Sequence, residues 1–296
     1  MQKGEIMGKI VRYITEDGSA FIIAADTTDV VAEAEQIHKT SAVNTAALGR
    51  LMTAASMMGD MLKGKDGSVT LRMNGGGPAG SLIAVADSSG NSRGYVQNPV
   101  VEIPLNDKGK LDVKGTVGTD GYIFVMKDIG LKEPYIGQTE IVSGEIAEDI
   151  TNYFAVSEQT PSVCALGVLV NPDLTVAAAG GFLIQLLPFC PEETIEKIEK
   201  AMAEIEPVTA MLSKGMSVDE IAFKAMKGID ISKLDESEIS YKCNCSKDRV
   251  EAALISTGRE ALQDMIDSGE DTKVECHFCD KTYVFSPKDI ENLLEN

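Results

Sequence analysis

The chain has few of the side chains that carry acid–base or nucleophilic catalysis, because it contains only two histidines in 296 residues. His38 falls on an early predicted helix, where a surface or packing role is expected, and His277 lies between two cysteines. With only two histidines, the chain has few side chains that could serve as the base that activates a catalytic nucleophile. The sequence therefore predicts no catalytic residue, and we expect the protein not to be an enzyme.

Long apolar segments are also lacking. The first apolar run, Phe21–Ala25, is short and lies between acidic residues, so no signal peptide is predicted. Later segments at Val163–Val170 and Val176–Leu187 are too short to cross a bilayer, and two glycines and Gln185 interrupt the second. We interpret both segments as buried strands or short helices, and we expect a cytoplasmic protein with no membrane partner.

Positive charge is scarce. The 27 lysines and arginines stand against 46 aspartates and glutamates, which gives a formal charge of −19. A chain this acidic repels both nucleic acid phosphates and anionic membrane surfaces. Neither is an expected partner.

The six cysteines are too few for a disulfide scaffold in a chain of this size. Cys164 and Cys190 stand apart among apolar residues, where buried and unreactive thiols are the expected state. The other four crowd into the last fifth of the sequence. That clustering is the feature that points to a function.

Residues 1–190 mix strand and helix signals without a regular β-α-β repeat, which predicts an α+β core domain. The expected helices are Asp29–Lys39, capped by Thr27 or Thr28; Ala42 to about Lys63, capped by Ser41; and a stretch within Gln138–Val156. The expected strands are a hairpin over Ile10–Ala25 that turns at Asp17-Gly18, a meander at Val69–Met73, Leu82–Ala86 and Tyr95–Val101, and two later strands at Val163–Val170 and Thr175–Leu187.

Residues 191–240 are predicted to form a helical linker, because the composition shifts to Glu, Lys and Met after Pro188 and Pro191. Ser217 and Glu220 have the spacing of a capping box ahead of Ile221–Met226. The apolar residues at helical spacing in the first part are Ile195, Ile198, Met202 and Ile205. These stripes are thin, so the helices should be marginally stable unless they pack on another element.

Residues 241–296 are predicted to form a small α+β domain. The expected helices begin at Ser246, at Thr257 with Glu260 as a capping box, and at Ser286-Pro287. The expected strands, around Lys273–Glu275 and Thr282–Phe285, flank a Cys-His-Phe-Cys turn.

The two short cysteine pairs of this domain predict a zinc site. Zinc prefers four tetrahedral ligands, and two cysteine pairs brought together by a folded insert supply them. A unit this small also lacks the apolar area to fold unaided, so the metal would supply much of its stability. The predicted ligands of one Zn²⁺ per chain are Cys243, Cys245, Cys276 and Cys279. His277 could replace a cysteine in principle, but its place inside the turn favours an outer-sphere or solvent-exposed position.

Four basic residues lie beside the cysteines in this acidic chain: Lys242, Lys247, Arg249 and Lys281. They would offset the two net negative charges of a zinc tetrathiolate and favour thiolate over thiol. An ordinary solvated surface explains them equally well, and the sequence leaves both interpretations open.

Simpler interpretations of the cluster are structural disulfides, free buried thiols or a purely structural zinc site. A switching role has a separate argument. A Cys-X-Cys pair closes a very small disulfide ring, which should be strained and easily reduced again. Oxidation would also eject the metal and remove the free energy that holds the domain folded.

With these residues assembled, nearly the whole chain resembles the bacterial 33 kDa chaperonin family, the redox-regulated heat-shock holdases. The residues that carry the resemblance are Ala47-Leu48-Gly49-Arg50, Gly75-Gly76-Gly77-Pro78-Ala79-Gly80, Ser157-Glu158-Gln159 before Pro161-Ser162, Gly180-Gly181 with Gln185 and Pro188, and the two cysteine pairs. The cysteine spacing is the most specific part.

The resemblance implies an N-terminal core that dimerises and binds unfolded client proteins, a linker laid over it, and a zinc domain that keeps the reduced protein inactive. It implies that oxidation under stress pairs Cys243 with Cys245 and Cys276 with Cys279, releases zinc and loosens the linker. Cys164 and Cys190 are additions to a minimal family pattern, so thiol chemistry at these two stays open. The linker methionines either offer adaptable contacts to clients or fill gaps against the core; they are Met202, Met211, Met216 and Met226.

Two other functions and one other site remain as alternatives. A thiol oxidoreductase would use Cys276-His277-Phe278-Cys279, but it needs a helix to begin at Cys276, whereas the flanking residues predict strands. A zinc ribbon that binds nucleic acid or a protein partner would need a basic surface, which is missing. Gly75–Gly80 could be mistaken for a phosphate loop, but no Gly-Lys-Ser/Thr follows and a tight turn is expected.

Overall fold

The computed structural model describes residues 7–62, 64 and 66–295. The chain divides into two compact units, the first ending at Lys242 and the second beginning at Cys243. Both units mix helices with antiparallel sheets, so the predicted α+β class is confirmed. In the parts of the chain that the structure describes, no helix is both long and apolar enough to cross a lipid bilayer.

The first unit contains two five-stranded antiparallel sheets. Its strands are β1 (Gly8–Thr15), β2 (Ala20–Asp26), β3 (Ser68–Gly76), β4 (Leu82–Asp87), β5 (Ser92–Val96), β6 (Gly118–Asp128), β7 (Tyr135–Glu140), β8 (Ser162–Val170), β9 (Val176–Leu186) and β10 (Ile231–Ile239). Its helices are α1 (Thr28–His38), α2 (Ala42–Asp60), α3 (Val113–Val117), α4 (Ala147–Val156), α5 (Glu192–Glu204), α6 (Val208–Ser213) and α7 (Val218–Ala225). One sheet has the strand order β10-β1-β2-β9-β8, and the other has the order β5-β4-β3-β6-β7.

The sheet that contains β1 is covered on both faces. Successive side chains of a strand point to opposite faces, and in β2 Ile23 and Ala25 join the main core with α1 and α2, whereas Ile22 and Ala24 join a second core. The linker helices supply this second core with Ile198, Val208, Met211, Val218, Ile221, Ala222, Ala225 and Met226. The thin apolar stripes of α5 to α7 are therefore packed against a sheet, the condition under which such helices are stable.

The linker methionines fill this second core. Met211 and Met226 are almost completely buried in it, and Met202 and Met216 pack against it while partly exposed. In this structure they have the gap-filling role expected of an unbranched, flexible side chain.

The prediction of a helical linker is wrong for its last part, because Ile231–Ile239 form strand β10. This strand pairs antiparallel with β1 along the edge of the sheet, with partners from Gly8↔Ile239 to Thr15↔Ile231. Its exposed, charged residues resemble those of a protected edge strand. Pairing with β1, more than two hundred residues away in the chain, outweighs the weak local strand signal.

Two further predictions at element ends are wrong. The third strand of the meander covers Ser92–Val96 rather than Tyr95–Val101, since Pro99 has no amide proton for a strand ladder. Thr257 and Glu260 form no capping box, because the Thr257 hydroxyl donates to the carbonyl of Leu254 at 2.7 Å. The helix begins after Gly258, whose φ of +95° favours glycine.

The early helices begin where the sequence predicts, but their capping side chains bind elsewhere. Thr27 exchanges a hydrogen bond of 2.6 Å with Thr53, and Ser41 Oγ accepts one from the amide of Val101 at 3.2 Å. Helix α2 ends at Asp60, and Lys63, its predicted end, lies outside the described residues. The capping box of Ser217 and Glu220 is confirmed.

The glycine-rich segment after β3 is a close backbone crossing. A Cβ atom on Gly75 would lie 2.2 Å from the carbonyl oxygen of Gly118, and one on Gly77 would lie 2.4 Å from that of Thr116. Strand β4 begins at Leu82, as expected for a turn between strands. Glycine is required here because another backbone segment occupies the space of a side chain.

Candidate metal centre

The second unit has a small apolar core. Its elements are α8 (Lys247–Ser256), α9 (Arg259–Asp267), β11 (Thr272–Glu275), β12 (Thr282–Phe285) and α10 (Pro287–Glu295). The buried residues of its core are Leu254, Leu262, Tyr283, Phe285 and Ile290, with further apolar side chains packed around them. A core this small contributes little stability, so another interaction is needed to hold the unit together.

Local folding at the ends of these elements positions the cysteines. Cys243 and Cys245 lie just before α8, whose first turn is capped by Ser246 through a 3.2 Å hydrogen bond from the amide of Arg249. Cys276 and Cys279 lie in the turn between β11 and β12. That turn is closed by the amide of Cys279, which donates to the carbonyl of Cys276 at 3.2 Å, and by the amide of Cys276, which donates to the carbonyl of Lys281 at 3.0 Å.

The four cysteine side chains meet in one cluster. Their sulfur atoms all lie within 4.8 Å of one another, with Cys243 Sγ 3.7 Å from Cys276 Sγ and Cys245 Sγ 3.4 Å from Cys279 Sγ. A disulfide would bring two sulfurs to about 2.05 Å. Four thiolates around one zinc ion at about 2.3 Å would be separated by about 3.8 Å along each edge of the tetrahedron. The spacing therefore fits a shared metal ion, and the four cysteines form a cluster that can hold one.

Electrostatics also favours a cation at this place. Burial acts to raise the pKa of Cys245, but a hydrogen bond from Tyr283 and those from the neighbouring thiols outweigh it and lower the pKa to about 7. Burial raises the pKa of Cys279 to about 12, although the backbone amide of Lys281 opposes that change, and burial also raises the pKa of Cys243. Cys245 thus ionises more readily than Cys243 and Cys279, whose thiols burial disfavours as anions. A divalent ion would offset that cost of burial.

Two of the predicted basic neighbours lie over aromatic rings of the small core. Lys281 Nζ is 5.0 Å from the centroid of the Tyr283 ring, and Lys247 Nζ is 5.4 Å from that of Phe285. Lys247 also lies 3.8 Å from a carboxylate oxygen of Glu251, one turn further along α8. These cations belong to the unit that carries the cysteines, and cation–π contacts place them against its core.

The remaining cysteines lie outside the cluster. Cys164 in β8 is partly buried, and burial raises the pKa of its thiol to about 12, which keeps it protonated at neutral pH. Cys190 is partly buried, with its sulfur 3.8 Å from the carbonyl oxygen of Pro191. Among the described residues, the potential metal-binding group consists of the four cysteines and does not include His277.

The surroundings of Cys276 do not resemble those of a thiol oxidoreductase. Such an enzyme activates its cysteine at the beginning of a helix. Cys276 instead directly follows strand β11, and β12 begins at Thr282, shortly after the turn.

Sequence reasoning missed one polar contact of the cluster. Tyr283 is buried in β12, and its hydroxyl donates a hydrogen bond to Cys245 Sγ at 3.1 Å. That hydrogen bond, together with burial, raises the pKa of Tyr283 to about 12. The available signal was an aromatic residue with a polar end on the inward side of a strand, four positions after Cys279.

Fold and site together define a class of protein: an α+β protein with a separate small unit, in which two short cysteine pairs form a cluster that can hold a metal ion. Within that class, the family model described as Hsp33 protein matches residues 8–286, so the chain belongs to the Hsp33 family.

Several bacterial proteins match this chain over nearly their full length. A protein named 33 kDa chaperonin from Clostridium botulinum (strain Alaska E43) is 46% identical over 97% of this chain and 98% of its own length. One of the same name from Lachnoclostridium phytofermentans is 48% identical over 96% and 97%. The crystal structure of the 33 kDa chaperonin from Thermotoga maritima matches with a TM-score of 0.87 at 36% identity, over 97% of each chain.

Proposed function

We propose that this protein is a redox-regulated molecular chaperone of the holdase type. In the proposal, the reduced form carries one Zn²⁺ on Cys243, Cys245, Cys276 and Cys279 and is inactive. The oxidised form binds unfolding or oxidatively damaged proteins and prevents their aggregation. Membership of the Hsp33 family and the names of its relatives support the chaperone role. The observation that carries the regulatory part is the convergence of four thiols at metal-ligand spacing in a unit with a small core.

The ion, when bound, would join the two cysteine pairs and hold all four sulfurs as thiolates. The chain itself supplies one hydrogen bond that such a sulfur accepts, because the hydroxyl of Tyr283 donates to Cys245 Sγ. The pairs are separated in sequence by α8, α9 and β11. Joining them therefore closes a loop that contains most of the unit, and much of its folding free energy depends on that closure.

Oxidation removes this closure. In the proposed reaction, each pair, Cys243 with Cys245 and Cys276 with Cys279, gives two electrons to one molecule of hydrogen peroxide. One S–S bond forms and the O–O bond breaks, which yields two hydroxide ions for each pair. A disulfide sulfur is a much poorer ligand than a thiolate, so the metal leaves and the unit unfolds.

The linker is the proposed relay to the client-binding surface. Cys243 follows the end of β10 by four residues, so loss of order at the cysteines begins next to this edge strand in the sequence. Linker helices α5 to α7 cover an apolar face of the sheet that includes Val11, Ile22, Phe182 and Ile184. Release of the linker would expose this face, and exposed apolar surface is what an unfolded chain binds.

The proposed domain limits are residues 1–190 for the core, 191–240 for the linker and 241–296 for the switch. The core would dimerise and bind clients. The proposed partners are unfolded proteins and a second copy of the chain, with no role for nucleic acid or membranes. The proposed location is the cytoplasm, where thiols stay reduced until oxidative stress.

The test combines bound zinc with chaperone activity. Zinc content and suppression of the aggregation of a heat-unfolded protein are measured with and without peroxide, in the native chain, in Cys243→Ser and in Cys190→Ser. We expect peroxide to release zinc and switch on activity in the native chain and in Cys190→Ser, which alters a cysteine outside the cluster. Cys243→Ser should bind zinc weakly and should not require peroxide for activity. Equal activity of the native chain in both redox states would remove the switch from the proposal.

A further inference from the structure

Tyr283 occupies a fixed position that points its hydroxyl at the cysteine cluster. The burial pattern of β12 alternates, with Tyr283 and Phe285 buried and Thr282 and Val284 exposed. Strand β12 is paired with β11, in which Val274 lies opposite Tyr283. Because the ring is held by this strand pairing and by the core, the hydroxyl can move little relative to Cys245.

The hydrogen bond joins parts of the site that are distant in sequence. Tyr283 follows the second cysteine pair, but its hydroxyl donates to Cys245 Sγ in the first pair, 38 residues away, at 3.1 Å. The cluster is therefore connected by a bond from the protein itself in addition to any shared metal. Removal of the hydroxyl would leave the sulfur of Cys245 richer in electrons.

Lys281 strengthens this donor. Its ammonium lies 5.0 Å from the centroid of the Tyr283 ring. A cation over an aromatic face attracts electron density from the ring. A phenol that has lost electron density donates a stronger hydrogen bond, so Lys281, Tyr283 and Cys245 form one polarised chain.

We propose that Tyr283 is a positioning residue that holds Cys245 as a metal ligand and lowers the reactivity of its sulfur. Residues that hydrogen-bond to metal ligands tune both affinity and reactivity, and their loss commonly costs about 10- to 100-fold in metal affinity. A thiolate that donates less charge also attacks electrophiles more slowly, since a tenfold change in basicity changes the rate by about threefold. The proposal rests on the proposed function in one respect, that the four cysteines bind a metal.

The experiment replaces the hydroxyl and keeps the ring. Full-length Tyr283→Phe is compared with the native chain and with Tyr135→Phe, which removes a tyrosine hydroxyl 3.2 Å from Ser157 in the first unit. Three quantities are measured in the reduced protein: zinc affinity by chelator competition, the sulfur-to-cobalt charge-transfer band after reconstitution with Co²⁺, and the rate at which iodoacetamide alkylates each cysteine.

For Tyr283→Phe we expect zinc affinity to fall about tenfold or more. We expect the cobalt band to move to lower energy, and we expect Cys245 of the zinc-loaded chain, where the metal would keep its sulfur a thiolate, to alkylate about threefold faster. Tyr135→Phe should match the native chain. Lys281→Met keeps the hydroxyl but removes the cation, and it should shift the cobalt band in the same direction by a smaller amount. This second variant tests the idea even if Tyr283→Phe folds poorly, which circular dichroism of the zinc-loaded chains would reveal.

An unchanged cobalt band and unchanged alkylation of Cys245 in both variants would reduce Tyr283 to a packing residue. These measurements do not depend on chaperone activity. A native chain that binds zinc but shows no switch would defeat the proposed function and leave the role of Tyr283 intact. A native chain that binds neither zinc nor cobalt would defeat both.

Discussion

Asp60 offers a quantitative test of the electrostatic interactions between β1 and β10. This carboxylate ends α2 with a side chain that is 6% exposed, and its Oδ2 atom lies 3.3 Å from Arg12 Nε without the alignment of a hydrogen bond. Arg12 on β1 instead donates from Nε to Asp235 on β10 at 2.7 Å and from a second nitrogen to the other oxygen of the same carboxylate. Asp60 thus competes for a cation that is already paired.

The cost of this arrangement follows from the pKa. Burial raises the pKa of Asp60 to about 6, although the charge of Arg12 acts to lower it. Against about 4 in the unfolded chain, this corresponds to about 3 kcal/mol of lost stability at neutral pH. The folded pKa lies above the unfolded one, so the penalty is full well above pH 6 and disappears as the pH falls through 6 towards 4.

The perturbation is Asp60→Asn, which removes the titrating group and keeps the shape. Relative to the native chain, the free energy of unfolding of the variant should increase by about 1.5 kcal/mol between pH 5 and pH 8, mostly below pH 7. The variant will also differ from the native chain by an amount of unfolding free energy that does not change with pH, because the neutral amide cannot form an ion pair with Arg12. Urea titrations followed by circular dichroism would measure the difference, with chelator and reductant present so that metal loss does not vary with pH.

Asp107→Asn is the control, since it removes one exposed carboxylate elsewhere in the same unit. The difference in the free energy of unfolding between Asp107→Asn and the native chain should stay nearly constant from pH 5 to pH 8. The reasoning fails if the difference between Asp60→Asn and the native chain is the same at pH 5 and pH 8. In that case the ionised carboxylate is better solvated or better paired than its burial beside an engaged arginine implies.

Two further substitutions test the packing of the linker and of the small unit. Ser217→Ala should cost about 1 kcal/mol of stability in urea titrations, because Ser217 caps α7 and its Oγ accepts a hydrogen bond from the amide of Glu220 at 3.2 Å. The control Ser213→Ala, at an exposed position at the end of α6, should cost nothing. If both variants lost the same stability, the cap would contribute nothing. Phe285→Ala should cost the second unit about 3 to 5 kcal/mol of stability and so weaken its zinc binding, because Phe285 is fully buried in that small core. Val284→Ala, on the exposed side of the same strand, should leave zinc affinity unchanged. If Phe285→Ala bound zinc as tightly as the native chain, the core would contribute little to the site.

The parts of this fold that could be predicted from sequence are those with local causes. The hairpin formed by β1 and β2 turns at Asp17-Gly18, and the capping box of Ser217 is a signal four residues long. The cysteine pairs are similar, because metal chemistry demands short spacings that are visible in the sequence. For each of these, the residues that determine the structure are neighbours in the chain.

The parts that could not be predicted depend on partners far away in the chain. Strand β10 is charged and has little intrinsic strand propensity, and it is a strand because β1 offers a free edge and Arg12 offers a partner for Asp235, 223 residues away. Tyr283 has the pattern of a core residue, and only the meeting of two cysteine pairs turns its hydroxyl into a contact of the site. In both cases polar side chains meet where distant segments of the chain come together, and such contacts have no periodicity for a sequence pattern to detect. They are also the interactions that a switch must break, so the least predictable contacts of this chain are those on which its proposed regulation depends.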